Sequence, residues 1–418
     1  MVLKRAGGYG GMQQQAGRVC VQLRKRGLAV GLLTARQADG VAPVWWTGRL
    51  NTHFLAASSQ WGFAREVYRH LCLRRDEYDV VHVHGFGPET FAAIAAKRVT
   101  GKALVVKPST AGKGTKLHAY ARWSAVAPPL RTAWRGVDAW ASISSETGAD
   151  LLRMGVPPGR ILRIPNGVDR SVFHPLPPAE RQALRAELGL AEGELLVCTA
   201  ARLAPHKRVD LLIRAFLSLA ERFPQARLWV AGYGEQEREL QELVSAAGAA
   251  ERVRLLGRTQ GDALCRIMQA ADVFALLSLW EGLSNALLEA MSCALPPVVS
   301  NVSGMADVVR DGVSGLVVPP DNEAASRDAL AELLGNAIWR RELGLAAERT
   351  VVEHYGLEQT VERLIQLYQA LLGRGEIEAA RSGVAPQSAG GKAQRAGSEA
   401  RTKPGTEVKN RPRLNPEP

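Results

Sequence analysis

The sequence predicts an α/β protein built from two doubly wound, parallel-sheet domains, and three observations carry that prediction. Its 418 residues are enough for two domains of ordinary size and a tail. Through the second half, short apolar runs alternate with helix-forming segments, the pattern of a parallel sheet with crossover helices. Glycine-rich or basic turns stand where segments hand over to helices, at residues 7–11 and 201–208. The expected layout is a first domain over 1–165, a linker and hinge at 166–178, and a second domain over 179–350. A returning helix at 351–372 and a disordered basic tail at 373–418 follow.

The first half opens with only Val2-Leu3 as apolar sequence, so its first strand is expected to be very short or missing. The loop Gly7-Gly8-Tyr9-Gly10-Gly11 lets backbone approach a ligand closely; taken alone it reads as a flexible terminus. A helix over Met12–Arg26, apolar at Ala16, Val19 and Leu23, stops at Gly27, and Leu28–Ala35 reads as a strand. Val44–His53 and Trp61–Leu73 follow as a strand and a helix. Asp79–His84 is a buried strand, and His84 stands at its carboxyl end, where open α/β sheets bind ligands. It reads equally as a cleft residue or a hydrogen-bonded structural histidine. Ala103–Lys107 is the next strand. The segment behind it carries Lys113, Lys116 and His118, which suit an acceptor with negative charge or an ordinary solvated loop. Asp138–Ser144 is a further strand, Asn166-Gly167 a turn, and Phe173–Pro178 the hinge.

In the second half, Glu194–Ala200 is a strand. Arg202 and Lys207 flank the turn from this strand into a helix, the usual place for a phosphate, with Arg208 as a third cation. Leu228–Ala231 ends in Gly232-Tyr233-Gly234, and Arg252–Leu256 ends at Gly257 before Arg258-Thr259. The strand Asp272–Leu277 leads into Leu279–Val299, on which the rest of the chain turns. Glu281, Gly282 and Leu283 form a loop, Ser284 takes the N-cap, and Asn285–Met291 are good helix formers. Pro296 and Pro297 end the helix. Glu281 and Glu289 thus flank the free N–H groups of a helix start. An anion can sit on that helix end while each carboxylate accepts hydrogen bonds from hydroxyls. A sugar nucleotide has this order: sugar hydroxyls, diphosphate, ribose hydroxyls. For isolated glutamates, dipole complementation and a solvated surface would suffice.

Composition narrows the classes. Hydrophobic residues make up 46% of the chain, enough for two sizeable cores, yet no apolar run is long enough for a spanning helix and no signal region opens the chain. The five cysteines are scattered without a CxxC pair, which argues for a reducing compartment and against a disulfide frame or zinc site. The net charge is +12, and the nine basic and five acidic residues from Gly373 onward leave most of it on the body. No nucleic-acid motif or aromatic–basic interleaving accompanies that charge. Phosphorylated small molecules and an anionic membrane surface are the better partners.

The stretch EGLSNALLEAMSCALPPVV closely resembles the signature of the family 4 glycosyltransferases, retaining enzymes of the GT-B fold, in which two Rossmann-like domains face a central cleft. GGMQQQAGRVCVQLRKRG resembles the opening of that family's first domain, and Arg160–Asp169 resembles its exit. The resemblance runs from about Gly10 to Leu372 and is more specific in the second half. It implies that Arg202 and Lys207 hold a donor diphosphate and that Gly10, Gly11 and the Gly232 turn lie along the donor. Arg258 would contact the base. Glu281 would hold the sugar, the loop Gly282-Leu283-Ser284-Asn285 the phosphates, and Glu289 the ribose. Arg202, Lys207 and Glu281 would then be the catalytic set. Many members carry a histidine directly after the strand that here ends at Lys107; this chain has Pro108-Ser109, and His118 is offset. No Asp-x-Asp motif is present, so the cations and helix amides are expected to replace a metal, with no cofactor. The implied activity is hexosyl transfer from a nucleotide sugar to a saccharide or lipid-linked acceptor, at the cytoplasmic face of the cell membrane.

Two other readings stay open. A sugar-nucleotide epimerase on the same fold would need an acid and a base near the sugar, and it would not release nucleotide in response to an acceptor. A degenerate GT-B protein would bind nucleotide or an anionic polymer without turnover.

Overall fold

The computed structural model describes residues 1–3, 11–35, 51–57, 59–110, 112 and 115–373. Thirteen strands among them form two all-parallel sheets. The first contains β1 (Val2–Leu3), β2 (Gly31–Ala35), β3 (Asn51–Leu55), β4 (Val80–His84), β5 (Ala103–Lys107), β6 (Ala139–Ser142) and β7 (Ile161–Arg163), in the order β3-β2-β1-β4-β5-β6-β7. The second contains β8 (Leu195–Ala200), β9 (Ala226–Ala231), β10 (Val253–Leu255), β11 (Val273–Leu276), β12 (Pro297–Ser300) and β13 (Leu316–Val318), in the order β10-β9-β8-β11-β12-β13. Each sheet winds outward from a central strand in two directions. The order reverses between β1 and β4 in one sheet and between β8 and β11 in the other, and such switch points open a crevice at the carboxyl ends of the strands. The fold is α/β of the GT-B type.

The short first strand forms. Val2 pairs with Leu33 on one side, and Val2 and Leu3 pair with Val83 and His84 on the other. Both residues are buried. The expected Val44–His53 strand is found at Asn51–Leu55; residues 36–50 lie outside the described residues, as do Gly10, Lys113 and the tail from residue 374.

The returning segment differs from expectation. In place of one helix over Val351–Leu372 there are two, Ala337–His354 and Leu357–Leu371. The break has a tertiary cause. Val168 of the linker donates its N–H to Tyr355 O at 2.8 Å and accepts from Leu357 N at 2.9 Å, so the backbone at Tyr355-Gly356 bonds to the linker and cannot continue a helix. Gly167 fits there for lack of a side chain: a Cβ would come within 2.6 Å of Leu357 Cα.

Beyond the break, Leu357, Val361, Leu364 and Leu367 of the last helix pack with Val19, Leu23, Val105, Ala139 and Leu162 of the first half. This helix therefore covers one face of the first sheet. Under it runs a polar seam. His82 Nδ1 lies 2.6 Å from Tyr368 Oη, the His82 and His84 rings stack at 4.3 Å, and Lys107 Nζ reaches Pro165 O at 3.5 Å. Burial drives the pKa of both histidines well below the usual value, and that of Lys107 down to about 7.

Candidate active site

The crevice of the second sheet is built from the turn after β8 and the loop after β11, which the switch point sets side by side. The β8 turn carries Arg202, exposed, and Lys207, partly buried, ahead of the helix Val209–Leu217. The β11 loop carries Glu281. Lys207 Nζ and Glu281 Oε1 form an ion pair, and Ser278 Oγ donates to the same carboxylate oxygen at 3.2 Å. Leu279 N donates to His206 O at 2.7 Å, and the His206 ring stacks on Trp280 at 5.0 Å, fastening the two loops together. Arg208 turns elsewhere: its guanidinium is engaged by Asp210 and Asp321.

Behind Glu281, Ser284 caps the helix Asn285–Ser292, its Oγ accepting from Leu287 N. No acidic residue lies in that first turn or in the first turn of the helix Gly11–Lys25. The two helix starts meet. Asn285 Nδ2 donates to Gly11 O at 2.6 Å, and Asn166 Nδ2 donates to Asn285 Oδ1 at 2.8 Å and to Leu283 O at 3.2 Å. Two positive helix ends thus converge on the mouth of the crevice, one from each half. Gly282 is pressed against the first half: a Cβ there would stand 2.8 Å from Ile143 Cδ1 and closer still to Ser109 O.

Glu289 lies deeper, 6% exposed, and is held at 2.7 Å by Arg18 Nη1 from the Gly11–Lys25 helix. Burial pushes its carboxyl up from the usual range, and Arg18 opposes that shift. At the far end, Gly232 N donates to Gly257 O at 2.8 Å, and the Arg258 guanidinium lies 4.3 Å from the Tyr233 ring centroid. Gln14 and Gln260 join across the crevice at 3.3 Å.

The acceptor-side candidates separate. His84 is 3% exposed, inside the seam beneath the last helix. His118 stands in the first turn of the helix Lys116–Val126, its Nδ1 3.1 Å from the fully buried Asp150, which also accepts from Gly112 N and Arg153. Among the described residues no three His, Cys, Asp or Glu side chains are grouped to hold a metal ion.

Arg202, Lys207, Glu281, Gly282, Leu283, Ser284, Asn285 and Gly11 thus fall around one crevice, with Glu289, Gly232 and Arg258 extending it. Sequence reasoning missed Arg18, Asn166, Ser278 and the His206–Trp280 stack. Asn166 was visible only as a turn residue, and the partners of the others are distant in sequence or set by loop geometry.

Comparison with known proteins decides the family. Residues 9–172 match the family profile described as "Glycosyltransferase Family 4", and residues 180–350 match "Glycosyl transferases group 1". A D-inositol 3-phosphate glycosyltransferase of Nocardia farcinica is 30% identical over 408 residues, covering 90% of this chain and 88% of its own. The chain belongs to glycosyltransferase family 4. A GDP-mannose-dependent phosphatidylinositol monomannoside mannosyltransferase of Corynebacterium glutamicum is 31% identical to this glycosyltransferase over 214 residues, half of this chain and 55% of its own. Among solved structures, HepE of Anabaena in complex with UDP and glucose superposes with a TM-score of 0.74 at 19% identity, covering 88% of this glycosyltransferase and 98% of HepE. That likeness is one of fold.

Proposed function

We propose that this glycosyltransferase moves a hexosyl unit from a nucleoside-diphosphate sugar to a saccharide or lipid-linked acceptor with retention of anomeric configuration. The carrying observation is the convergence of the Lys207–Glu281 pair with two helix starts joined through Asn285 and Gly11. In this reading the diphosphate sits on the helix N–H groups beside Arg202 and Lys207. Glu281 takes the sugar hydroxyls and Glu289 the ribose diol. As the anomeric C–O bond breaks, the bonding pair leaves with the phosphate. Arg202, Lys207 and the Ser284-Asn285 amides stabilise that growing charge. The acceptor oxygen bonds to the anomeric carbon on the same face and its proton passes to the leaving phosphate oxygen. Closing both halves over the substrates aligns them and excludes water.

The acceptor side of the proposal is a phosphorylated polyol or lipid-linked saccharide, in glycolipid or cell-surface polysaccharide synthesis at the cytoplasmic membrane face. The inositol-phosphate and phosphatidylinositol specificities named for the Nocardia and Corynebacterium relatives support an anionic acceptor. Exposed Trp61 and Trp123, with exposed Arg65, Arg69, Lys116 and Arg122 near them in sequence, suit a lipid headgroup layer. Among the described residues no helix is long and apolar enough to cross a membrane.

A thermal-shift screen with UDP, GDP, ADP and their sugar conjugates tests the donor site, because a ligand of the native state raises its stability. One nucleotide should raise the midpoint of the protein, and Arg202→Ala should lose that shift. No shift from any of them in folded protein overturns the donor reading. The anomeric proton coupling of the product, read by NMR, tests retention.

A further inference from the structure

Glu289 has an electrostatic problem that its own helix does not solve. It is 6% exposed, and burial favours its neutral form. A ribose diol offers two adjacent hydroxyl donors, and only an ionised carboxylate presents nothing but acceptors to them. The helix Asn285–Ser292 contains no basic residue. The compensating charge comes from the other half of the molecule: Arg18 Nη1 lies 2.7 Å from Glu289 Oε1. Arg18 is itself held. Its side chain is 15% exposed, and its guanidinium carbon lies 5.5 Å from the ring centroid of Phe173, a buried linker residue. The Phe173 carbonyl in turn accepts from Ser292 Oγ at 2.6 Å, at the end of Glu289's helix. A first-half helix, the linker and a second-half helix therefore meet at one carboxylate.

We propose that Arg18 is a positioning residue for donor recognition, holding Glu289 as a carboxylate through Oε1 and leaving Oε2 to grip the ribose diol. The inference rests on the reading of Glu289 as the ribose ligand. It adds that nucleoside recognition in the second half is completed by a side chain from the first. Donor affinity and the meeting of the two halves are then one event: wherever Arg18 is withdrawn, Glu289 loses its counter-charge and the ribose grip weakens.

The test compares binding of UDP, GDP and ADP with their 2′-deoxy forms to the whole protein, in wild type, Glu289→Gln, Arg18→Gln and Arg18→Lys. For the nucleotide that binds, wild type should prefer the ribose form by about tenfold or more, the worth of a hydrogen bond to a charged group. Glu289→Gln and Arg18→Gln should each lose most of that preference, the double variant should lose no more than either single one, and Arg18→Lys should recover part of it. Should Arg18→Gln not fold, Arg18→Met keeps the aliphatic stem over Phe173 and serves in its place. If Arg18→Gln weakens the ribose and deoxyribose forms equally, Arg18 is structural glue and the inference is overturned. If wild type shows no ribose preference, the reading of Glu289 itself falls. The two failures are distinguishable because Glu289→Gln loses the preference in the first and has none to lose in the second.

Discussion

In the proposed reaction Lys207 and Glu281 define the chemistry on offer. Neither is well exposed, at 15% and 13% of their side chains, so their pairing is sheltered from the screening that weakens surface pairs. As proposed, Lys207 stands beside the departing phosphate, and a cation preorganised there is worth a large share of the barrier. Lys207→Ala should therefore lower kcat by about 10²- to 10³-fold. Nucleotide release in the presence of acceptor measures the effect, and an unchanged kcat would remove Lys207 from the reaction. Both positions stand out in the sequence because each rests on local pattern: a basic strand-to-helix turn, and an acidic residue just ahead of a helix start; their pairing is what the structure adds. Arg18 does not stand out, since nothing near it in sequence shows that Glu289, 271 positions away, is its partner.

The elements around the site were legible for the same reason. Alternating apolar runs and N-cap chemistry are short-range signals, and the strand Ala103–Lys107 and the Ser284-capped helix were expected where they occur. The last helix was misread because its break at Tyr355-Gly356 is imposed by Val168 of the linker, and a helical periodicity carries no trace of that contact. The loop between β11 and its helix makes the sharpest demand on sequence. Gly282→Ala would drive a Cβ into Ser109 O and Ile143 Cδ1 of the first half. The expected result is a rate loss of up to about 10²-fold from displaced reacting groups. The accompanying overpacking should cost only about 1–3 kcal/mol of stability. Paired kinetic and denaturant measurements separate the two, and wild-type kinetics would show that the loop tolerates the shift.

The polar seam under the last helix belongs to the stability of the molecule as a whole. Lys107 has a folded pKa of about 7 against an ordinary 10.5, so the unfolded chain binds more protons between those values. Its contribution to stability is present in full only above pH 10.5 and is lost as pH falls towards 7. His82 and His84, also depressed, add a further loss as pH falls below their ordinary 6.5. The melting temperature should accordingly rise from pH 6 towards pH 9. Lys107→Met should raise it at pH 7 and flatten the slope above, and an unchanged slope would show that Lys107 is not the group responsible.

The two halves are also stitched directly. Asp307 of the second accepts from Ser145 N at 2.6 Å, Ser145 Oγ at 2.7 Å and Arg163 Nη2 at 2.8 Å. The apolar cover of the first sheet has a consequence for the order of events at the ribosome. Val19, Leu23, Val105, Ala139 and Leu162 are synthesised within the first 162 residues, but the helix that seals them, Leu357–Leu371, is made only after residue 356. The nascent first half must wait with that face open while the second half, whose sheet lies within residues 195–318, is made. Growing at about 5–20 residues per second, the chain keeps that surface unsealed for about ten seconds or longer, a window for chaperones and proteases that a contiguous domain would close much sooner.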